Sequence, residues 1–382
     1  MSAFDPTAIV AAVRRDVPDL SDEVAVAASV RAATPIAGPQ RLLETWRHVQ
    51  AEVVGAGPLQ RLVDDPDVSD VMVNGPGPVW VDRGRGAEST DVRIDGEHQL
   101  RQLAQRLVAA AGRRLDDACP FSDAVLADGT RVHAVLPPVA PQGTTLSLRV
   151  PPRRTFTLAE LVRRRTLSAE GAELLRHVVQ RRLSFVVTGG TGTGKTTLLS
   201  TLLSEVPEAE RLLLVEDAPE LRPAHPHVVR LQTRHANSEG AGAIAMSDLV
   251  RQALRMRPDR LVVGEVRGPE VVDLLAALNT GHDGGAATLH ANRTEHVAAR
   301  FEALCASAGL SREAAHAQLA AAVNVIVHLR RRSDGERYVA GVAVLSADPS
   351  GLVRSLPAYA FTKASPQPLD GAAALVRLLQ SP

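Results

Sequence analysis

The chain has 382 residues, two to three times an ordinary single-domain length, so at least two folded modules are expected. Apolar residues make up 45% and charged residues 23%, which supplies material for packed cores and excludes a disordered or collagen-like chain. Lys plus Arg and Asp plus Glu each total 43, so no overall basic field exists to hold a polyanion such as DNA by counterion release.

Two Trp, two Tyr and six Phe are too few for a surface that stacks successive bases. Cys119 and Cys305 cannot form a disulfide framework or a four-cysteine zinc site; they read as core or inert thiols in a reducing compartment. No run approaches the roughly 18 apolar residues needed to span a bilayer, and the N-terminus MSAFDPTAIVAAVRRDVPDL interleaves apolar residues with Asp and Arg. The sequence therefore predicts neither an export signal nor a membrane anchor.

In chain order, residues 5–53 have helical periodicity broken at Pro35 to Pro39 and predict two or three helices. Short β-type runs follow at DVMVN (70–74), VWVD (79–82) and DVRI (91–94), then a helical stretch at 96–115. Strands resume at 123–127 and 131–136 around the turn Asp128-Gly129-Thr130, with a sixth at 145–150, which makes residues 54–150 a small α+β module. PPRR (151–154) stops that last strand and opens a linker over 151–157, because two prolines cannot continue a ladder.

From Leu158 onward helices alternate with the apolar runs SFVVT, LLLVE, VVRLQ, RLVVGE and AATLH, which predicts an α/β domain around a mostly parallel sheet buried on both faces. A hairpin is expected over 324–345 around Asp334-Gly335, closing this domain at about 346. Residues 347–382 read as a Pro/Ser-rich tail with one weak helix near 370–380.

Residues Gly189, Gly190, Thr191, Gly192, Thr193, Gly194, Lys195 and Thr196 form a complete GxxxxGK(S/T) phosphate loop between an apolar run and the helical run KTTLLSTLLSEV, which begins Lys195-Thr196-Thr197. Glycines there let successive N–H groups converge on phosphate oxygens, Lys195 reaches the outer phosphates, and the Thr196 hydroxyl suits Mg²⁺. Lysine is rare in this chain, occurring at 195 and 363 alone; at 195 a compact ammonium does what a planar guanidinium cannot. Glu216 and Asp217 end a later apolar run, where a carboxylate can orient the attacking water. Glu265 ends another, where phosphate-loop proteins place the acid that supports Mg²⁺, although Gly264 occupies the usual aspartate position. His290 follows a Gly-rich turn and a short strand, and its imidazole can sense the γ-phosphate.

These segments, GGTGTGKTTLL, RLLLVEDAPEL, RLQTRHANSEG through DLVRQALRMRPDRLVVGEVRG, and NTGHDGGAATLHANR, resemble the four boxes of the ATPases that power type II and type IV secretion and pilus assembly. The likeness runs over about residues 55–345 and looks nearest to the tight-adherence (Flp) pilus branch, the CpaF/TadA-like group. It implies a RecA-like ATPase domain behind a PAS-like N-terminal domain, and a ring hexamer acting on Mg-ATP. It also implies a cytoplasmic position at the inner membrane face, reached through a polytopic platform protein.

Residue by residue, the resemblance gives Lys195 and Thr196 the phosphate and Mg²⁺, Glu216 the water, Glu265 the support of Mg²⁺, and His290 the last box. Glycine before that glutamate is common in the family. Arg131 and Arg149 match N-terminal-domain arginines that approach the γ-phosphate, and Arg234, Arg255, Arg257 and Arg267 are further candidates. The four-cysteine zinc insert of some members is missing, so no zinc is implied. Three rivals remain: a conjugation-type DNA or protein transfer motor with the same boxes, a RecA-like nucleic-acid motor disfavoured by charge, and a non-hydrolysing scaffold disfavoured by the paired glutamates.

Overall fold

The computed structural model describes residues 6–17, 22–34, 38–84, 86–151, 154–234, 241–332, 334–361 and 366–381. Pro152 and Arg153 of the expected linker, residues 35–37 of the first helix break, and residues 235–240 of the RHANSEG run lie outside them. The chain divides into two compact units, Met1–Pro151 and Pro152–Pro382.

In the first unit α1 (Pro6–Asp16), α2 (Glu23–Ala33) and α3 (Pro39–Val53) pack about their own small core of Ile9, Val13, Val30 and Val49. Asp22 starts α2 by accepting the backbone N–H groups of Val24 and Ala25, which have no partner inside the helix. After α4 (Gln60–Val63) come β1 (Asp70–Asn74), β2 (Gly77–Asp82), β3 (Ala87–Ile94), α5 (Glu97–Ala110), β4 (Phe121–Val125), β5 (Arg131–Val135) and β6 (Thr145–Arg149). The six strands form one antiparallel sheet in the order β3-β2-β1-β6-β5-β4.

Alternation assigns the faces of this sheet. Val71, Val73, Val79, Val81, Val132, Ala134, Leu146 and Leu148 are buried and share a core with Leu100, Leu103, Leu107 and Val108 of α5, whose spacing makes one helical stripe. Of the residues between them, Arg131, His133, Ser147 and Arg149 are exposed. Gly129, at φ 89°, lets the β4–β5 connection turn tightly, and the Asp128 carboxylate accepts the Thr130 N–H.

The second unit runs α6 (Leu158–Arg163), α7 (Ala169–Gln180), β7 (Phe185–Thr188), α8 (Lys195–Leu203), β8 (Leu212–Glu216), β9 (Val228–Gln232), α9 (Met246–Ala253), β10 (Arg260–Val266), α10 (Glu270–Leu278) and β11 (Ala286–Leu289). It continues with α11 (Val297–Ser307), α12 (Arg312–Ala322), β12 (Val325–Arg331), β13 (Arg337–Ala347), β14 (Val353–Phe361), β15 (Pro366–Pro368) and α13 (Ala372–Gln380). A nine-stranded sheet has the order β15-β14-β13-β12-β7-β11-β10-β8-β9. The six strands from β12 to β9 are parallel, and β13 to β15 add antiparallel.

Every residue of β7, β8 and β11 is buried, as the continuous apolar runs require of a sheet covered on both faces. Leu213 and Val215 point to a core with Val250, Leu274 and Phe301, whereas Leu212 and Leu214 point to the opposite core with Leu175, Leu198 and Leu202. β7 lies centrally, so the loop that leaves it emerges between the tips of β11 and β12.

The stretch beyond residue 347 corrects the expected tail: it carries two strands as well as the helix, and continues the sheet. Val353, Ala358, Phe361 and Leu375 are buried core residues. Pro357 explains the misreading, since proline inside VRSLPAYAF argues against a strand. It is accommodated opposite Ala343, where the β13–β14 register shifts.

Candidate active site

Three glycines give the turn from β7 into α8 its shape. Gly189, Gly192 and Gly194 have φ of 153°, 70° and 92°. A Cβ on Gly189 would lie 2.7 Å from both the Leu329 carbonyl oxygen and the Thr193 hydroxyl. Thr193 Oγ1 donates to the Gly190 carbonyl at 2.9 Å and closes the loop. The first helical hydrogen bond of α8 is Leu198 N to Gly194 O, so the N–H groups of Lys195, Thr196 and Thr197 have no acceptor within the helix. Backbone donors at a helix N-terminus beside a buried ammonium form a cradle suited to phosphate.

Lys195 is 8% exposed, and its Nζ donates to the carbonyls of Gly189 and Gly190 at 3.2 and 3.0 Å. Burial lowers its pKa, with the Glu265 and Glu220 carboxylates acting in the other direction. His290, immediately after β11, places Nε2 3.3 Å from Lys195 Nζ and 2.9 Å from Glu265 Oε1. Its pKa is lowered, first by burial and then by the Lys195 charge. Glu265 is also 2.7 Å from Arg267, whose guanidinium reaches Asp217 at 3.6 Å. Glu270 holds this turn by accepting the N–H groups of Arg267 and Gly268 at 2.7 and 2.8 Å. A chain of alternating charge thus runs from the phosphate loop across the tips of β11, β10 and β8.

Glu216 ends β8 and is 4% exposed. Its Oε1 accepts the backbone N–H groups of Glu220 and Leu221 at 3.0 and 2.8 Å, and burial pushes its pKa up to about 7. Gly264 makes room for it: a Cβ there would lie 2.8 Å from Glu216 Cγ. The glycine in place of the usual aspartate is a packing requirement set by the neighbouring strand. Thr288 Oγ1 donates to the Gly264 carbonyl at 2.6 Å and ties β11 to β10 at the same level.

The structure brings Lys195, His290, Glu265 and Arg267 together, and it sets Glu220 rather than Glu265 beside Thr196, with Thr196 Oγ1 3.3 Å from Glu220 Oε2. Sequence reasoning gave Glu220 no role; its signal was the four-residue step from Glu216 around Pro219. Arg131 and Arg149 are direct cross-strand partners on the exposed face of the first unit's sheet, and Arg149 pairs with Asp70 at 3.0 Å. Arg234 donates to the Gly242 carbonyl at 2.6 Å, Arg255 to the Arg251 carbonyl at 2.7 Å, and Arg257 occupies a left-handed turn at φ 54°. Neither of those two contacts reaches the phosphate loop.

Magnesium favours oxygen ligands and takes few of them from protein when phosphates and water supply the others. The Thr196 hydroxyl and the Glu220 carboxylate fit that demand, and the Glu265 carboxylate acts on Lys195 alongside Glu220.

The sequence profile described as "Type II/IV secretion system protein" matches residues 52–356. A Mycobacterium tuberculosis protein provisionally named a conjugal transfer protein is 50% identical over 350 residues, 90% of this chain and 98% of that one. The type IV secretion system protein PtlH of Bordetella pertussis is 33% identical over 296 residues, 70% of this chain and 84% of that protein. The X-ray structure of the Legionella pneumophila ATPase DotB shares the fold, with a TM-score of 0.53 at 19% identity over 75% of this chain and 79% of that one. With its phosphate loop, strand-tip carboxylates and histidine all inside the matched span, the chain belongs to the type II/IV secretion system protein family.

Proposed function

We propose that the protein is an ATP-hydrolysing motor of a secretion or conjugal transfer machine related to type IV systems. The observation that carries this reading is the buried Lys195 ammonium at the phosphate loop, flanked by His290 and Glu265. Backbone N–H groups at the start of α8 bind phosphate oxygens, and Lys195 exchanges its carbonyl partners for the outer phosphates. Thr196, Glu220 and Glu265 would hold magnesium, which neutralises charge on the phosphates when bound. Glu216, with a pKa near neutrality, orients the water and accepts its proton, while His290 reports the outer phosphate to Glu265. Arg131 and Arg149 add mobile positive charge from the first unit, as arginine fingers do elsewhere.

The reading is tested by magnesium-dependent phosphate release from purified protein. Absence of turnover in the parent chain, or full turnover in Lys195→Ala, overturns it. We place the motor in a ring hexamer on the inner face of the membrane, working through a platform protein. Two cargo readings have separate support. The box motifs resemble the tight-adherence pilus branch, whereas the name of the M. tuberculosis relative points to conjugal transfer. Gene deletion separates them: loss of surface filaments with DNA transfer intact fits the first, and the converse fits the second.

A further inference from the structure

β10 departs from regular alternation at its tip. Leu261 and Val263 belong to the core that holds Leu274 and Phe301, and Val262 belongs to the opposite core with Leu198 and Leu202. Val266 returns to the first core three residues after Val263, where strict alternation would put it in the second. The pairing with β11 gives the reason. Val263 stands opposite Ala287 and Val266 opposite Leu289, so β10 places two residues, Gly264 and Glu265, where β11 places Thr288 alone. One extra residue of this kind is a β-bulge, which re-aims the side chains beside it. In an unbulged strand Glu265 would share the face of Val263, among apolar side chains. Across the bulge its carboxylate instead meets His290 at 2.9 Å and Arg267 at 2.7 Å. Thr288 faces the bulge from β11 and is 1% exposed; its hydroxyl has a single proton, which it donates to the Gly264 carbonyl at 2.6 Å. The two ends of that bond lie one residue before Glu265 and two before His290.

We propose that Thr288 is a positioning residue that fixes the bulge at Gly264 and Glu265, and so holds the Glu265 carboxylate against His290 and away from the apolar core. The proposal rests on the ATPase reading. Thr288 has no part in binding phosphate, magnesium or water and acts through the Gly264 carbonyl. Serine keeps the hydroxyl, whereas valine keeps the shape and leaves that carbonyl without its side-chain donor.

The test uses full-length protein and four variants: Thr288→Val, Thr288→Ser, Thr288→Ala and Glu265→Gln. Thr288→Val is expected to lower kcat about tenfold or more, with KM for ATP changed by less than about twofold, because Glu265 shifts while the phosphate loop stays in place. Thr288→Ser should keep kcat within about threefold of the parent. In the Glu265→Gln background the valine substitution should cost less than about twofold further, because the carboxylate it positions is gone. Thr288→Ala removes the same hydroxyl without setting a methyl group against the Gly264 carbonyl; it carries the test if the valine variant fails to fold.

Amide hydrogen exchange supplies a readout independent of turnover. Faster exchange confined to residues 264–267 and 288–290 in the valine or alanine variant, with the serine variant at the parent rate, supports the proposal. An unchanged kcat in the valine or alanine variant, a loss in the serine variant as large as in valine, an equal loss with and without the Glu265 carboxylate, or exchange that is unaltered or raised across the whole sheet overturns it. If the parent chain shows no ATP turnover, the ATPase reading falls, and the exchange pattern still decides whether Thr288 holds the bulge.

Discussion

Glu216 shows how far burial changes what one side chain can do. Its carboxyl is closed off from solvent, accepts two backbone N–H groups, and has its pKa pushed up to about 7. The fold thus prefers the protonated form, while the unfolded chain loses that proton near the ordinary value of 4.5. Between those values the native state binds more protons than the unfolded one, so this group's contribution to stability falls as pH rises from about 4.5 to about 7 and is level above. Glu216→Gln removes that slope. Unfolding in urea at pH 5 and pH 8 should show the variant gaining on the parent at the higher pH, by up to about 3 kcal/mol. The same variant should bind Mg-ATP and fail to hydrolyse it; normal turnover would remove Glu216 from the water-orienting role. Lys195→Ala should abolish turnover, measured as phosphate release, because the loop then loses its compact positive charge.

Contacts between neighbouring strands decide the chemistry at the element scale. Gly264 lies under Glu216, and the Thr288 hydroxyl holds the same residue's carbonyl, so the tips of β8, β10 and β11 are set against one another. Gly264→Ala would drive a methyl group to 2.8 Å from Glu216 Cγ. We expect it to cost about 1–3 kcal/mol through overpacking, together with turnover, in thermal melts and phosphate-release assays run side by side. A stable, fully active alanine variant would show that Glu216 can move without consequence. In the other unit, Arg131 and Arg149 are neighbours across β5 and β6. If they supply transition-state charge, replacing either with Ala should lower kcat far more than twofold, toward the roughly 10³ ascribed to arginine fingers. Changes under about twofold would assign them to the surface of the sheet.

Viewed as a whole molecule, the chain has separate cores for its two units, and the C-terminal strands belong to the second. Truncation after Ala347 would strip Val353, Ala358, Phe361 and Leu375 from those cores and expose the edge of β13. The truncated chain should aggregate on expression, whereas a chain ending as the parent does stays folded; a soluble, cooperatively melting truncation would contradict the packing.

Local composition and spacing were enough to read the parallel strands and the phosphate loop, and the order of the boxes came from the family resemblance. Continuous apolar runs, glycine at left-handed positions and a helix following a strand are properties of short segments, and GGTGTGKTT carries its own mechanism in eight or nine residues. What the sequence could not decide is which residues meet across strands. Glu220 beside Thr196, Gly264 beneath Glu216, and His328 beside Thr188 join residues 24, 48 and 140 positions apart in the chain. Such pairs are fixed by sheet order and register, which depend on how all the strands pack together. The chemical groups were therefore written into the segments, and their protonation and partners came only with burial in the tertiary fold.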